Sequence, residues 1–321
     1  MRMRKWFLLA AVAFATASGA QDYPVKPIRM IVPWSAGGGA DAMGRLVAQK
    51  LSEAWGQPVY VENKPGATGT IGTDLVAKAP PDGYTLLMGT NSTYVLALSL
   101  YKQLPYDPDK DLTPISRVAE VPHILSVNPS VPAKSTAELV ALLKANPDKY
   151  SFGSSGTAST PQVAGQVFMN LSGTKLLHIP YKGSGQSVAD TVAGNVQVSF
   201  DTMPSVLAFI QGGRLRALAV LGPKRVSALP DLPTTAELGL AGAEGSTWFG
   251  LYGPAGMPPA IVRKIHDEVA RIVTLPDVKA KLETFGALAT ADMASADFAA
   301  AVRAEVPHYA KVLQAAGIQK E

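Results

Sequence analysis

The 321-residue chain contains no cysteine. That excludes disulfides, thiolate zinc sites and cysteine nucleophiles, and it removes the lipid-bearing cysteine of a bacterial lipoprotein. Histidine is scarce and scattered. His123, His178, His266 and His308 have no second histidine or clustered carboxylate at metal-ligand spacing, so neither a metal nor a cofactor is expected. Long apolar runs are missing too. The one candidate, WFLLAAVAFATA behind the basic start MRMRK, is far short of the about 20 residues a membrane span needs. With Ser18, Gly19 and Ala20 after it, residues 1–20 read as a secretory signal peptide cleaved after Ala20. The leader takes Arg2, Arg4 and Lys5 with it and no acid, leaving 26 basic against 25 acidic residues. So balanced a chain, without a basic cluster, gives no reason to expect nucleic acid or an anionic membrane surface.

Catalytic signatures are also missing. GSSGT and YKGSGQS miss the spacing of a G-x-S-x-G elbow, no G-x-G-x-x-G occurs, and VENKPGATGTIG lacks the Lys-Ser/Thr of a phosphate loop. Ser154, His178 and Asp201 could meet as a hydrolase triad, but nothing in their spacing asks for it. The chain is therefore expected not to be an enzyme. A secreted serine hydrolase using Ser154 or Ser155 is the alternative, and a ligand-presenting sensor is another.

What is present is a core-forming composition, 47% hydrophobic, in a chain long enough for two domains. Strands and helices alternate through the first 90 residues. Pro27–Val32, Val59–Val61 and 84–89 read as strands, with helices over 41–54 and 73–78, which argues for an α/β fold with a mostly parallel sheet. Residues 104–116 read as a proline-broken connection, followed by two strand-like pieces around Pro122. Ser135 to Glu138 form a capping box. LPDLPTTAELG reads as a loop and short helix. Residues 212–220 read as a further strand and 247–258 as a strand and turn; the rest is helical, with a last helix over about 295–316 kinked at Pro307 and packed back on the first domain.

One pattern occurs twice. IVPWSAGGGAD (31–41) and YSFGSSGTASTP (150–161) are each a strand, a loop of small residues and a helix start. In the first, Asp41 reads as a helix N-cap; in the second, Thr160 is the expected N-cap, before Pro161. A second pair matches more loosely: YTLLMG leads into TNSTY, and VQVSF (196–200) into DTMPS, with Pro204 as a first helical residue. Free N–H groups at helix starts suit an anion without Lys or Arg. Four such loops facing one cleft would make a reversible carboxylate site. Its candidates are Trp34, Ser35, Ala36, Gly37, Gly38, Gly39, Thr90 and Asn91 from the first half. The second half adds Ser154, Ser155, Gly156, Thr157, Ala158, Ser159, Thr160, Tyr181 and Asp201. Trp34 serves either as core or as an aromatic wall. Tyr181 either touches ligand or closes its loop, and Asp201 either caps a helix or holds a ligand amine or hydroxyl. His178 reads as structural.

These segments resemble the Bug (TctC-type) solute-binding proteins of tripartite tricarboxylate transporters. The likeness runs from YPVKPIRMIVPWSAGGGAD through GQPVYVENKPGATGTIG, PDGYTLLMGT, LYKQLPYDPDKDLTPIS, YSFGSSGTAST, IPYKGSGQS, GGRLRALAV, LPDLPTTAELG and WFGLYGPAGMP to QAAGIQ. The resemblance implies a two-domain periplasmic binding protein of Venus-flytrap, type II-like form, each domain a central sheet flanked by helices. Residues 21–122 plus 250–321 would form domain 1, and 123–249 domain 2. It further implies a di- or tricarboxylate or aromatic acid ligand, integral-membrane permease subunits as partners, a monomer and no membrane anchor. Three positions depart from the family pattern. Trp34 stands where Phe is common, Gln162 where His is common, and Lys64 where Arg is common in the E-N-R-P-G string.

Overall fold

A computed structural model describes residues 23–290, 293–315, 317 and 318. The expected signal peptide, 1–20, lies outside them. Among the described residues no helix is long and apolar enough to cross a membrane.

The first half is built by strand–helix units. β1 (Ile28–Val32) is buried at four of its five residues, as a parallel strand covered on both faces must be. α1 (Gly39–Trp55) buries Met43, Val47 and Leu51 and stops at Gly56, whose φ of 65° is the left-handed conformation that ends helices. β2 (Val59–Asn63), α2 (Thr70–Ala77) and β3 (Thr85–Thr90) follow, with β1 parallel to both strands. A π-type turn over Ser92–Leu96 runs into α3 (Ala97–Leu100), and α4 (Pro108–Asp111) comes next.

β4 (Leu112–Val127) corrects the sequence reading. It is one 16-residue strand, starting inside the expected irregular connection and running straight through Pro122. Proline survives there because of where it falls. Pro114 sits at a register shift, and Pro122 is the last residue paired to the first-half partner, so neither removes a bond from a continuous ladder.

Beyond β4 the second half repeats the plan. It comprises α5 (Thr136–Ala145), β5 (Ser151–Ser154), α6 (Thr160–Ser172), β6 (Leu177–Pro180), α7 (Ser184–Ala193), β7 (Val198–Thr202), α8 (Met203–Gln211) and β8 (Arg216–Leu221). β5 is parallel to β6 and β7. The capping box of α5 forms on one side only: Ser135 Oγ accepts from Glu138 N, while the Glu138 carboxylate accepts from Lys134 N. Residues 235–239 form turns rather than a short helix: Gly239, at φ 79°, ends the coil after one turn, and Leu240 N donates back to Thr235 O.

The chain returns through β9 (Ser246–Pro254), α9 (Pro259–Thr274), α10 (Pro276–Thr284), β10 (Leu288–Ala289) and α11 (Ser295–Ala315). α11 continues through Pro307. It lies on β4 and α3, and its Phe298 ring packs against Trp248 and Tyr252 at 5.6 and 5.3 Å. Its far end crosses to the second half, where Leu313 clusters with Val163. So the tail spans both halves instead of packing on the first alone.

The resulting mixed α/β sheet runs β2-β1-β3-β9-β4-β7-β5-β6, with β8 and β10 also on β4. β4 joins the halves. Leu112 to Pro122 pair with β9, and His123 to Val127 pair with β7 and β8. The second crossing is beside it, where His123 N donates to Gly245 O just before β9 begins.

Candidate functional site

At the carboxyl ends of β1, β3, β5 and β7 the halves face each other, and a cavity of about 30 Å³ lies between them. Its wall comprises Trp34, Gly38, Gly39, Ala40, Thr90, Ser92, Ser155, Thr160, Pro161, Ser184, Thr202, Thr247 and Phe249. The volume is about that of one water, so the halves stand too close here to hold an organic acid between them.

Four helices begin at this wall. α1 starts after Gly38, α6 after Ser159, α7 after Gly183 and α8 after Thr202, and none of these N-cap residues makes a side-chain capping bond. Uncapped helix starts leave N–H groups and partial positive charge without a partner in their own turn; of these, Thr160 N of α6 is taken up by Ser92 Oγ from the other half. No Lys or Arg lines the cavity. Two further donors have nothing to bind: the buried Trp34 Nε1 and Thr90 Oγ1 have no hydrogen-bond partner. A buried polar atom without a partner costs about 1–3 kcal/mol, and these two belong to residues of the cavity wall.

The first loop is held by a charge pointing away from the cavity. Asp41 is not the N-cap expected from the sequence; it sits in the first turn of α1 and reaches back. Its carboxylate accepts from Gly37 N, Arg45 Nε and Asn63 Nδ2, each at 3.0 Å. Burial alone would raise its pKa, but the Arg45, Gly37 and Asn63 donors outweigh burial and hold it below the ordinary value. Asn63 Nδ2 also donates to Trp34 O, tying the end of β2 to the loop. Gly37, at φ 82°, makes the bend.

The second loop is held by neutral groups. Ser159, not Thr160, is the N-cap of α6, and its hydroxyl turns back to Gly156 O at 2.7 Å. Ser154 Oγ lies 2.6 Å from His178 Nε2, which is the distance of a catalytic dyad. The surrounding bonds assign another role. Gln162 Oε1 accepts from Ala158 N, which turns the amide nitrogen toward His178 Nδ1 at 3.3 Å. The ring then carries its proton on Nε2 and donates to Ser154, the reverse of what a general base would do. Ser154 is fully buried, donates to Gly156 O and does not reach the wall of this cavity. Asp201 is no part of this group. Burial lowers His178 to a pKa of about 4 and keeps it neutral.

Of the expected site residues, Trp34, Gly38, Gly39, Thr90, Ser155 and Thr160 reach the cavity wall. Ser35, Ala36 and Gly37 form the outer rim, where Ser35 N donates to Lys182 O of the opposite half. Thr157 O accepts from Thr68 Oγ1 at 2.8 Å across the mouth of the cleft. Gly156 and Ala158 shape the second loop, with φ of 140° and 55°. Asn91 is buried behind the wall and donates to Ser246 O and Tyr309 OH. Tyr181 turns onto its own half, donating to Asp190 at 2.6 Å. Asp201 lies one layer behind Thr202, accepts from Thr202 N, and has one oxygen without a partner. Burial raises its pKa against the pull of the nearby Ser184, Thr202 and Ser205 groups.

Sequence reading missed Ser184, Thr202, Thr247 and Phe249 as wall residues. Ser184 comes soon after β6 and Thr202 ends β7, so strand-end position was the available signal. Thr247 carried none. It reaches the wall because β9 crosses there, its hydroxyl 2.6 Å from Thr160 Oγ1 and 2.8 Å from His123 Nε2. A larger groove, about 1110 Å³, opens between α6 and α11 beside Glu120, Pro122 and Ser246. The groove shares Thr160 with the wall of the small cavity. Its walls are mainly apolar.

Comparison with known proteins agrees with the geometry. The sequence model of the tripartite tricarboxylate transporter family receptor matches residues 43–318. Protein BugT of Bordetella pertussis is 39% identical over 280 residues, covering 87% of this chain and 85% of that protein. The solved structure of R. palustris Rpa4515 with adipate superposes with a TM-score of 0.89 at 34% identity, covering 94% of this chain and 100% of that one. MatC from Rhodopseudomonas palustris with bound malate gives 0.84 at 30% identity over 91% of this chain and 100% of that one. The fold is that of a periplasmic binding protein, and the chain belongs to the TctC (Bug) family of tripartite tricarboxylate transporter receptors.

Proposed function

We propose that this protein captures a small carboxylate between its halves, without chemical change, and hands it to an integral-membrane permease from the periplasm. The observation that carries the reading is the convergence of four uncapped helix starts on one cavity that no cation lines. Such a site takes up an anion through neutral donors and releases it easily. Each such bond contributes about 0.5–1.5 kcal/mol net, and several together reach the about 8 kcal/mol of micromolar affinity. The relatives that bind adipate and malate support the same class of ligand.

The proposed domains are 21–122 plus 250–321, and 123–249, with the hinge where β4 and β9 cross. One end of the acid would dock on α1's start and the other on the starts of α6, α7 and α8. The ligand enters with the jaws apart, because the closed cavity holds only about one water. Turning a 1:99 equilibrium into 99:1 closed takes about 5.5 kcal/mol of differential affinity, which contacts from both halves at once supply. A thermal-shift screen against mono-, di- and tricarboxylates and aromatic acids tests this. At least one acid should raise the melting temperature in proportion to the logarithm of its concentration. A flat response to all of them overturns the reading.

A further inference from the structure

We propose that the turn leading into α7, Lys182 to Gly185, is the mechanical stop of cleft closure and thereby sets the length of acid the closed cleft prefers. The length preference rests on the carboxylate reading; the stop itself does not. Elsewhere the halves meet through side chains, as Thr68 meets Thr157 and Ser92 meets Thr160 N. Hydroxyls can rotate and yield. At the α7 turn backbone meets backbone. Ser35 N donates to Lys182 O at 3.2 Å. A Cβ built on Gly185 would overlap the Ala36 carbonyl, and one on Gly183 would come within 2.5 Å of Ser35 N. One on Gly38 would stand 3.0 Å from Ser184 Cβ and 3.4 Å from Gly185 N. Only the Ser35 hydroxyl can rotate away; the other contacts are backbone atoms or a Cβ fixed to it, so closure ends here. Because Ser184 and Gly38 also line the cavity, the place where the jaws stop fixes the span between the donors of the two halves.

Gly185 makes the idea testable. It lies inside α7 and its φ is not positive, so its own backbone does not call for glycine. Within a helix alanine is the better residue, and Gly185→Ala should fold at least as well as the parent. The missing Cβ is explained only by the approach of Ala36.

The chain has no native cysteine, so nitroxide pairs can be placed cleanly. Ile71 and Leu177, 56% and 57% exposed on opposite halves, are suitable for Ile71→Cys and Leu177→Cys labelling. Electron–electron distance measurements would compare the parent with Gly185→Ala and Gly185→Leu, alone and with malonate, succinate or adipate. The shortest populated distance should lengthen from parent to Ala to Leu. By calorimetry, Gly185→Ala should weaken the shortest acid bound by at least tenfold and adipate by less than threefold. Retention of the parent's shortest distance in Gly185→Ala overturns the stop, and equal weakening of all three acids overturns the length preference. If the parent binds none of these three acids, the length preference fails, the wider acid screen decides the carboxylate reading, and the acid-free distances still decide the stop.

Discussion

The two glycine- and serine-rich loops do the same job by opposite electrostatic means. Each follows a parallel strand and opens an uncapped helix onto the cavity. The loop at 33–39 is braced from behind by an ionised carboxylate, Asp41, with Arg45 and Asn63 around it. The loop at 153–160 is braced by a neutral chain, Ser154, His178 and Gln162. The difference shows what an anion site tolerates. A negative charge is permitted one layer back when donors surround it, and the surfaces facing the guest stay neutral. Burial of His178 keeps that half free of charge as well.

The strongest way to break the parallel is to satisfy one helix start from within. Gly38→Asp puts a carboxylate at the N-cap of α1, where it would bind the free N–H groups itself. Affinity for any carboxylate should fall at least about 100-fold, some 2.7 kcal/mol, with the fold retained; calorimetry and circular dichroism check both. Unchanged affinity would remove the first loop from the site. Next in size is Asp41→Ala, which strips the brace of the first loop and leaves Gly37 N and the Asn63 amide short of an acceptor. Stability should drop by about 2–3 kcal/mol in urea unfolding. A loss below about 0.5 kcal/mol would show the charged brace to be dispensable.

Acid separates the loops further. His178 has a folded pKa of about 4 against 6.5, and His123, beside Thr160 and Thr247, about 3. Both are depressed by burial, so the unfolded chain takes protons first. Their contribution to stability is complete above pH 6.5 and is lost as pH falls toward 4. Asp41, also depressed, keeps its contribution until pH falls below its unfolded value of 3.8. Hydrogen exchange, corrected for intrinsic rates, should therefore show residues 153–163 opening more at pH 4.5 than at pH 7, while 35–41 stay protected. Equal loss in both loops would erase the contrast. The smallest effect is expected from Trp34→Phe, which keeps a ring in the wall and removes the unpartnered Nε1. Affinity should fall about two- to tenfold, or 0.5–1.5 kcal/mol. No change would place Trp34 in the core alone.

Much of the fold was legible because period and punctuation carry it. β1, α1, β3, α5 and the C-terminal helices stand where apolar spacing, caps and Gly or Pro stops put them. β4 was not legible, since Pro122 reads as a break in sequence and becomes a crossing point only when β9 and β7 are present to take separate halves of the strand. The turns at 235–239 failed as a helix for a related reason: Thr234 is bridged to Val220 and Gly239 turns left-handed, leaving room for one turn only.

By itself the sequence determined the family, the α/β class and the two loops that open helices onto one cavity, because each depends on neighbours in the chain. Tertiary structure decided which of those residues face the guest. It turned Tyr181 and Ser154 inward, set Asp201 one layer back, and brought in Ser184, Thr202, Thr247 and Phe249 from segments over 140 residues away from Trp34. Whether a side chain lines a cleft between two halves depends on how the halves meet, and no local pattern encodes that distance.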